Sequence, residues 1–157
     1  MQQKTLDRIL ATDLDGTFIP LDNNVQNERD LALLSTHLQT SPIPLIFVTG
    51  RHLASVENAI HQYNLPTPQM LICDVGSSIY QSVNGVWQPN LEYRQALTQR
   101  CHNWEISQVD DVLQDVLVRT SLCLQESEKQ GKFKRSYYAA AVELDALCVS
   151  IKSHLQS

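Results

Sequence analysis

The sequence predicts an α/β fold: a doubly wound parallel sheet with a smaller α+β unit behind it. Three short apolar runs, residues 9–12, 44–48 and 70–73, each stop abruptly at polar residues or glycine, the pattern of buried strands. Amphipathic helical stretches separate them, and strand–helix–strand–helix–strand order implies parallel strands joined by right-handed crossovers. After Gly76 the texture changes to a hairpin, helical stripes and two further short strands, which divides the chain into a core over 1–88 and a partial α+β cap over 89–157.

Taken in order, the first strand covers residues 8–12 and ends in Asp13-Leu14-Asp15-Gly16-Thr17. Residues 18–24, with Pro20, Asp22 and two asparagines, form a loop. A helix starts near Asn27, which can cap it, with Glu28 favourable in the first turn. Leu31, Leu34 and Leu38 give this helix an apolar face, and Ser41-Pro42 ends it. The second strand, 44–48, ends in Thr49-Gly50-Arg51. The helix over 52–63 turns Leu53, Val56 and Ile60 inward and stops at Asn64 and Pro66. The third strand, 70–73, ends in Asp74-Val75-Gly76.

Asn84-Gly85 between Ser78-Ile79-Tyr80 and Val86-Trp87 is a strong hairpin signal. A weakly amphipathic helix over 92–101 follows, then a clean stripe of Ile106, Val109, Val112, Leu113, Val116 and Leu117. Two strands, 119–125 and 133–139, flank a polar stretch. A last helix over 142–155 presents Leu144, Leu147, Cys148, Ile151 and Leu155 to the interior.

The composition narrows the function. A formal charge of −5 argues against nucleic acid or an anionic membrane as partner. The N-terminus lacks the apolar segment of a signal peptide, and no apolar run approaches the ~20 residues that cross a bilayer. Cys73, Cys101, Cys123 and Cys148 show no C-x-x-C pair, so they read as reduced, mostly buried thiols of a cytoplasmic protein.

Two constellations can carry chemistry. Asp13 and Asp15, one residue apart in an extended run, project to the same side, and Gly16 allows a bend that re-aims Asp15. One carboxylate can attack phosphorus to give an aspartyl-phosphate, and the other can move protons. Mg²⁺ would offset the negative charge so gathered. At the next strand end, Thr49-Gly50-Arg51 combines a hydroxyl, backbone amides and a guanidinium able to hold phosphate oxygens. Parallel pairing of neighbouring strands brings both ends to one rim.

On these residues the chain resembles the haloacid dehalogenase (HAD) superfamily of phosphohydrolases. Asp13-Leu14-Asp15-Gly16-Thr17 is similar to its first motif, and Thr49-Gly50-Arg51 to its second in the type IIB branch with a large α/β cap. Within that branch the likeness is to sucrose-phosphate phosphatase and related bacterial sugar-phosphate phosphatases. It is carried by Asp74-Val75-Gly76-Ser77-Ser78-Ile79-Tyr80, Gly85-Val86-Trp87 and Phe133-Lys134-Arg135-Ser136-Tyr137-Tyr138. The resemblance implies an incomplete Rossmann-like core with part of a cap. It implies Asp13 as nucleophile and metal ligand, and Asp15 as general acid/base whose backbone carbonyl also reaches Mg²⁺. Thr49, Gly50 and Arg51 would bind phosphate, and Lys134, with Gln130 and Ser136, would contact the sugar of a sugar-phosphate substrate.

The family's third motif, a lysine after the cap, and its fourth, an acidic strand end completing the Mg²⁺ site, have no counterpart. Lys152 has no acidic motif after it, and Asp110, Asp111 and Asp115 alternate with an apolar stripe as a solvated helix face does. His52 stands at the proposed rim, where a surface role and a substrate contact are both open. The expectation is a C-terminally truncated product or one half of a split enzyme, with 9–12 exposed at a sheet edge that invites self-association or a complementary C-terminal segment. Competing readings are a non-catalytic remnant that retains weak phosphate binding, and a phosphoacceptor signalling domain. Receivers of the latter kind place their acidic pair and phosphorylated aspartate on different strands, whereas Asp13 and Asp15 share one.

Overall fold

The structure is a computed structural model and describes residues 8–20, 24–40 and 43–155. Its contacts divide into two compact units, Met1–Thr98 and Gln99–Ser157. This boundary lies beyond residue 88 because the helix after the hairpin is tied back to the first unit: Tyr93 Oη donates to the Gly76 carbonyl at 2.6 Å.

The first unit is built on β1 (Leu10–Thr12), α1 (Val25–Thr40), β2 (Leu45–Val48), α2 (Leu53–Gln62), β3 (Met70–Cys73), β4 (Ser78–Val83) and β5 (Val86–Pro89). The five strands form one sheet in the order β1-β2-β3-β4-β5. β1, β2 and β3 are parallel, with Thr12 opposite Phe47 and Phe47 opposite Leu71; β4 and β5 continue the sheet antiparallel. The hairpin turn falls on Asn84 and Gly85, both at positive φ (53° and 78°), the backbone that this dipeptide adopts readily. β1 is the outer strand and Ile9 beside it is 57% exposed, the open edge expected from the sequence.

Strand alternation explains the core. Leu45, Phe47, Leu71 and Cys73 are buried on one face of β2 and β3, where they pack with Val56 and Ala59 of α2 and Leu31 and Leu38 of α1. The opposite-face residues Ile46, Met70 and Ile72 are half-buried and Val48 is exposed. Leu14, Phe18 and Ile19, read as turn and loop, belong to this core. The Phe18 ring packs on Phe47 with centroids 5.2 Å apart and so anchors the loop after β1.

α1 differs from expectation at both ends of the argument. Its cap is Asn24, whose Oδ1 accepts from Asn27 N at 3.1 Å, and not Asn27. Leu34 is exposed; the inward line is Leu31, Ser35 and Leu38. The Ser41-Pro42 stop and Asp22 lie outside the described residues. α2 begins one residue late because His52 is its cap: Ser55 N donates to His52 Nδ1 at 3.4 Å.

The second unit begins at the end of α3 (Leu91–Arg100) and contains α4 (Ile106–Arg119), β6 (Cys123–Leu124), β7 (Tyr137–Tyr138) and α5 (Leu144–Leu155). β6 and β7 are two residues each, far shorter than the predicted strands, and pair antiparallel. Val109, Leu113, Val116, Leu122 and Leu147 form its core. Two of the five residues assigned inward on the last helix hold: Leu147 is buried and Ile151 half-buried, but Leu144, Cys148 and Leu155 are exposed. The thiols are also less buried than predicted, with Cys73 buried, Cys101 intermediate, and Cys123 and Cys148 exposed.

Asp110 is not simply part of a solvated face. Arg135 Nε donates to its Oδ1 at 2.8 Å, Arg135 Nη2 to its Oδ2, and Tyr137 Oη to Oδ1 at 3.3 Å. These contacts join α4 to the segment that forms β7. The Arg135 hydrogen bonds hold the Asp110 carboxyl below its usual range. The pair therefore adds stability above the ordinary carboxylate pKa and loses it as pH falls through the lowered folded value. Asp110→Asn should cost no more than about 1 kcal/mol at neutral pH, because the pair is partly exposed, and the difference from the wild type should shrink below about pH 4. Urea denaturation at neutral and acid pH reads both.

Ser35 supplies a second test. It is buried in α1 and its Oγ finds no hydrogen-bond partner among the described residues. Removing an unsatisfied hydroxyl and adding helix propensity should make Ser35→Ala more stable by about 0.5–1 kcal/mol, read as a raised urea midpoint with an unchanged slope.

Candidate active site

Because β1, β2 and β3 are parallel, their carboxyl ends share one rim of the first unit, and each ends in one of the sequence features singled out above. After β1 the chain alternates sharply: Asp13 and Asp15 are exposed, while Leu14 between them is fully buried. Gly16, at φ 74°, then turns the chain so that Gly16 N donates to the Ile19 carbonyl at 3.1 Å and Ile19 N to the Leu14 carbonyl at 2.7 Å. The buried leucine leaves both acids exposed on either side of it in the chain.

Thr49 is buried at the end of β2, and its surroundings differ from the open phosphate cradle expected of it. Thr49 N donates to the Ile72 carbonyl at 2.8 Å, and Arg51 N to Thr49 Oγ1 at 3.2 Å. These two amides are therefore committed within the protein. Gly50 is not required by packing: a Cβ there would lie 3.9 Å from Val75 Cγ2, an ordinary contact. Its lack of a side chain leaves room on the rim.

Arg51 makes the link that the sequence did not foresee. Its fork closes on Asp15, with Nη2 2.6 Å from Oδ1 and Nε 2.9 Å from Oδ2, while Nη1 reaches the Ser55 carbonyl at 3.3 Å. The hydrogen bonds from Arg51 hold the Asp15 carboxyl below its usual range, and Asp15 in turn raises the guanidinium. The residue expected to bind phosphate thus spends its charge on the residue expected to move protons. His52, capping α2 through Nδ1, contributes to helix geometry.

The third strand end was read only as part of a resemblance. Asp74, Val75 and Gly76 all have positive φ (53°, 57° and 87°). Asp74 N donates to the Arg51 carbonyl at 3.0 Å and Val75 N to the Thr49 carbonyl at 3.3 Å, so this turn is stitched onto the second motif.

The cap residues gather separately in the second unit. Gln130 Nε2 donates to the Gln125 and Ser136 carbonyls at 2.8 and 3.1 Å, and its Oε1 accepts from Ser136 N at 2.9 Å. Ser136 Oγ donates to the Lys129 carbonyl at 3.2 Å. Both side chains hold the 125–136 turn together. Lys134 is half-buried in the tight turn that it closes with Gly131, and is not on a strand edge.

A cation could be held at the β1 end. The Asp13 carboxylate is exposed there while that of Asp15 is engaged by Arg51, and Mg²⁺ commonly takes one or two carboxylates and keeps waters and phosphate oxygens for the rest. The donor set fits such an ion. Among the described residues no group of three or more His, Cys, Asp or Glu converges.

Residues 6–157 match the family model described as sucrose-6F-phosphate phosphohydrolase. The chain belongs to that family. It is 36% identical over 145 residues to a HAD-like hydrolase of Nitrosococcus oceani, covering 92% of this chain and 37% of that protein. A glucosylglycerol-phosphate synthase of Pseudomonas anguilliseptica is 44% identical over 71 residues, 45% of this chain and 9% of the synthase. The fold matches the sucrose-phosphatase of Synechocystis, solved in complex with sucrose and phosphate, with a TM-score of 0.67 at 24% identity over 93% of this chain and 56% of that one. A haloacid dehalogenase-like hydrolase of Bacillus subtilis gives 0.54 at 17% identity, over 94% and 55%. The fold is thus the HAD-like α/β fold and the lineage that of phosphatases. The chain spans between about a third and a little over half of the length of these hydrolases. No helix among the described residues is long and apolar enough to cross a membrane.

The Asp15–Arg51 pair is exposed enough that it stabilises little. Arg51→Ala should cost at most about 1 kcal/mol and let the Asp15 carboxyl rise toward its ordinary value near 3.9, with Arg51→Lys intermediate because it lacks the fork. A carboxyl-detected NMR titration measures the shift directly.

Proposed function

We propose that this family member acts as a Mg²⁺-dependent phosphatase on a sugar phosphate through an aspartyl-phosphate at Asp13. The observation that carries the reading is the juxtaposition of two outward carboxylates at one parallel strand end with the Thr49-Gly50-Arg51 turn at the next, joined by the 2.6 Å Arg51–Asp15 contact. An Asp13 oxygen attacks phosphorus as the ester P–O bond breaks, and the Asp15 carboxylic acid gives its proton to the departing sugar oxygen. Asp15, now a carboxylate, takes a proton from the water that attacks the phosphoryl group. The acyl-phosphate P–O bond breaks, and Asp13 and inorganic phosphate are released.

Arg51 has a defined part in this sequence. Its hydrogen bonds lower the Asp15 pKa and so favour the carboxylate, the wrong form for a general acid. A phosphate dianion is a stronger claimant for the same fork, and transfer of the guanidinium to it would free Asp15 to hold a proton. Thr49 and Gly50 shape the floor on which the phosphoryl group rests. Mg²⁺, when bound by the Asp13 carboxylate and the Asp15 carbonyl, would neutralise charge between nucleophile and phosphate. Lys134 is proposed as the sugar contact; Gln130 and Ser136 would support it by fixing the turn. The substrate class rests on the family and on the sucrose and phosphate bound to the Synechocystis relative.

The 157 residues tested alone should turn over weakly. Phosphoryl transfer depends almost wholly on positioning and electrostatic stabilisation, and the sequence carries neither a third-motif lysine nor a fourth-motif acid. The second reading is phosphate binding without catalysis, in keeping with the lack of a converging three-ligand cluster among the described residues.

Phosphate release from sucrose-6F-phosphate and a panel of other sugar phosphates, with and without Mg²⁺, distinguishes these readings. For the chain alone the expected kcat is lower than that of the Synechocystis enzyme by about 10²-fold or more, with none detectable in Asp13→Asn. Robust Asp13-dependent release would overturn the weak-turnover expectation; release that survives Asp13→Asn would remove Asp13 as nucleophile.

A further inference from the structure

Val75 is conformationally costly and makes little visible return to the fold. It has φ 57° and ψ 35°, in the left-handed region where a β-branched residue is a genuine outlier, and its side chain is exposed, at 78% for the residue. The following Gly76, at φ 87°, shows the residue type that accommodates such a backbone readily. Glycine at 75 would relieve the strain and, with so little packing to lose, should leave the fold intact.

The strained conformation is held from every side. Asp74 N donates to the Arg51 carbonyl and Val75 N to the Thr49 carbonyl, at 3.0 and 3.3 Å. Ser77 N and Oγ both donate to the Asp74 carbonyl, at 3.2 and 2.9 Å, and Tyr93 Oη donates to the Gly76 carbonyl at 2.6 Å. Strain persists where the surroundings over-determine it, and such positions cluster at ligand clamps. Here the tethers fix an apolar isopropyl group 3.9 Å from the Cβ position of Gly50, directly beside the turn assigned to the phosphoryl group. The other groups at these strand ends, Asp13, Asp15, Thr49 and Arg51, are polar. An isopropyl group offers a phosphate nothing, but it suits the C–H face of a sugar ring.

We infer that Val75 is a specificity-determining residue, an apolar wall at the third strand end that contacts the carbon framework of the phosphorylated sugar and not its phosphate. The inference rests on the phosphate site proposed above and adds to it the group that separates a sugar phosphate from phosphate alone.

Binding to the full 157-residue chain in Mg²⁺ buffer tests this without requiring turnover. Isothermal titration is run with sucrose-6F-phosphate and with inorganic phosphate on the wild type, Val75→Gly and Val75→Leu. Val75→Gly should melt no lower than the wild type, bind inorganic phosphate equally, and bind sucrose-6F-phosphate about 5-fold more weakly, a loss that Val75→Leu restores in part. Equal affinity of Val75→Gly and wild type for the sugar phosphate overturns the wall. A lower melting temperature for Val75→Gly, or equal weakening of both ligands, also overturns it, because the side chain would then be structural. If the wild type binds inorganic phosphate but not the sugar phosphate, the wall falls while the phosphate site stands. If it binds neither, the phosphate-site reading fails and this inference falls with it.

Discussion

Parallel pairing of β1, β2 and β3 dictates where this protein can do chemistry. With Thr12 level with Phe47 and Phe47 level with Leu71, the three chains leave the sheet side by side and in the same direction. Whatever residues follow those strands must then share a rim. The second and third turns are joined by main-chain bonds, Thr49 N to Ile72, Asp74 N to Arg51 and Val75 N to Thr49, and so move as one piece. The first turn is fixed differently: Leu14 and Phe18 plug it into the core, and Arg51 reaches across to Asp15 by its side chain.

That difference matters energetically. Main-chain bonds between strand ends cannot be exchanged for a ligand without unravelling the sheet. The guanidinium–carboxylate contact can, because a partly exposed pair of this kind stabilises the fold by ~1 kcal/mol at most. The stability of the unit resides instead in the buried set around Leu14, Phe47, Val56 and Leu71. These strand ends thus combine a floor of backbone hydrogen bonds with one side-chain contact weak enough to be replaced, as the proposed function requires of Arg51.

Features encoded locally were legible in the sequence. Met70–Cys73 reads as a strand because its apolar run is bounded on both sides, and Asn84-Gly85 fixes its hairpin because few other dipeptides tolerate that backbone. The spacing of Asp13 and Asp15 suggested a shared side, and the structure adds that both are exposed around a Leu14 at zero exposure. What escaped was decided by partners distant in the chain. Leu34 looked equivalent to Leu31 and Leu38 by period, yet Leu34 is exposed and Ser35 is buried between Leu31 and Leu38. Asp110 looked solvated until Arg135 and Tyr137, two apart on an extended segment, came to face it. Gln130 looked like a sugar ligand and is spent on the backbone of its own turn. The Asp15–Arg51 pair spans 36 residues, and no local rule selects it over a bound phosphate.

Charge explains why that selection goes as it does in the ligand-free site, and what must change for phosphoryl transfer. Asp13 and Asp15 concentrate negative charge at a strand end, and Arg51 is the cation that Asp15 binds. A phosphate dianion entering this space would meet two carboxylates and one guanidinium already engaged, so its arrival is favourable only if the balance shifts twice. Arg51 has to exchange Asp15 for phosphate, and Asp15 has to gain a proton once its partner has left. These two changes oppose each other in neither charge nor geometry: the first removes the interaction that depresses the Asp15 pKa, and the added negative charge raises it further. The remaining excess sits on Asp13, where a divalent cation can be accommodated by an exposed carboxylate. Under the proposed function the Asp15–Arg51 contact would give way to an Arg51–phosphate contact at the same rim, and Arg51 is the side chain whose choice of partner distinguishes the two arrangements.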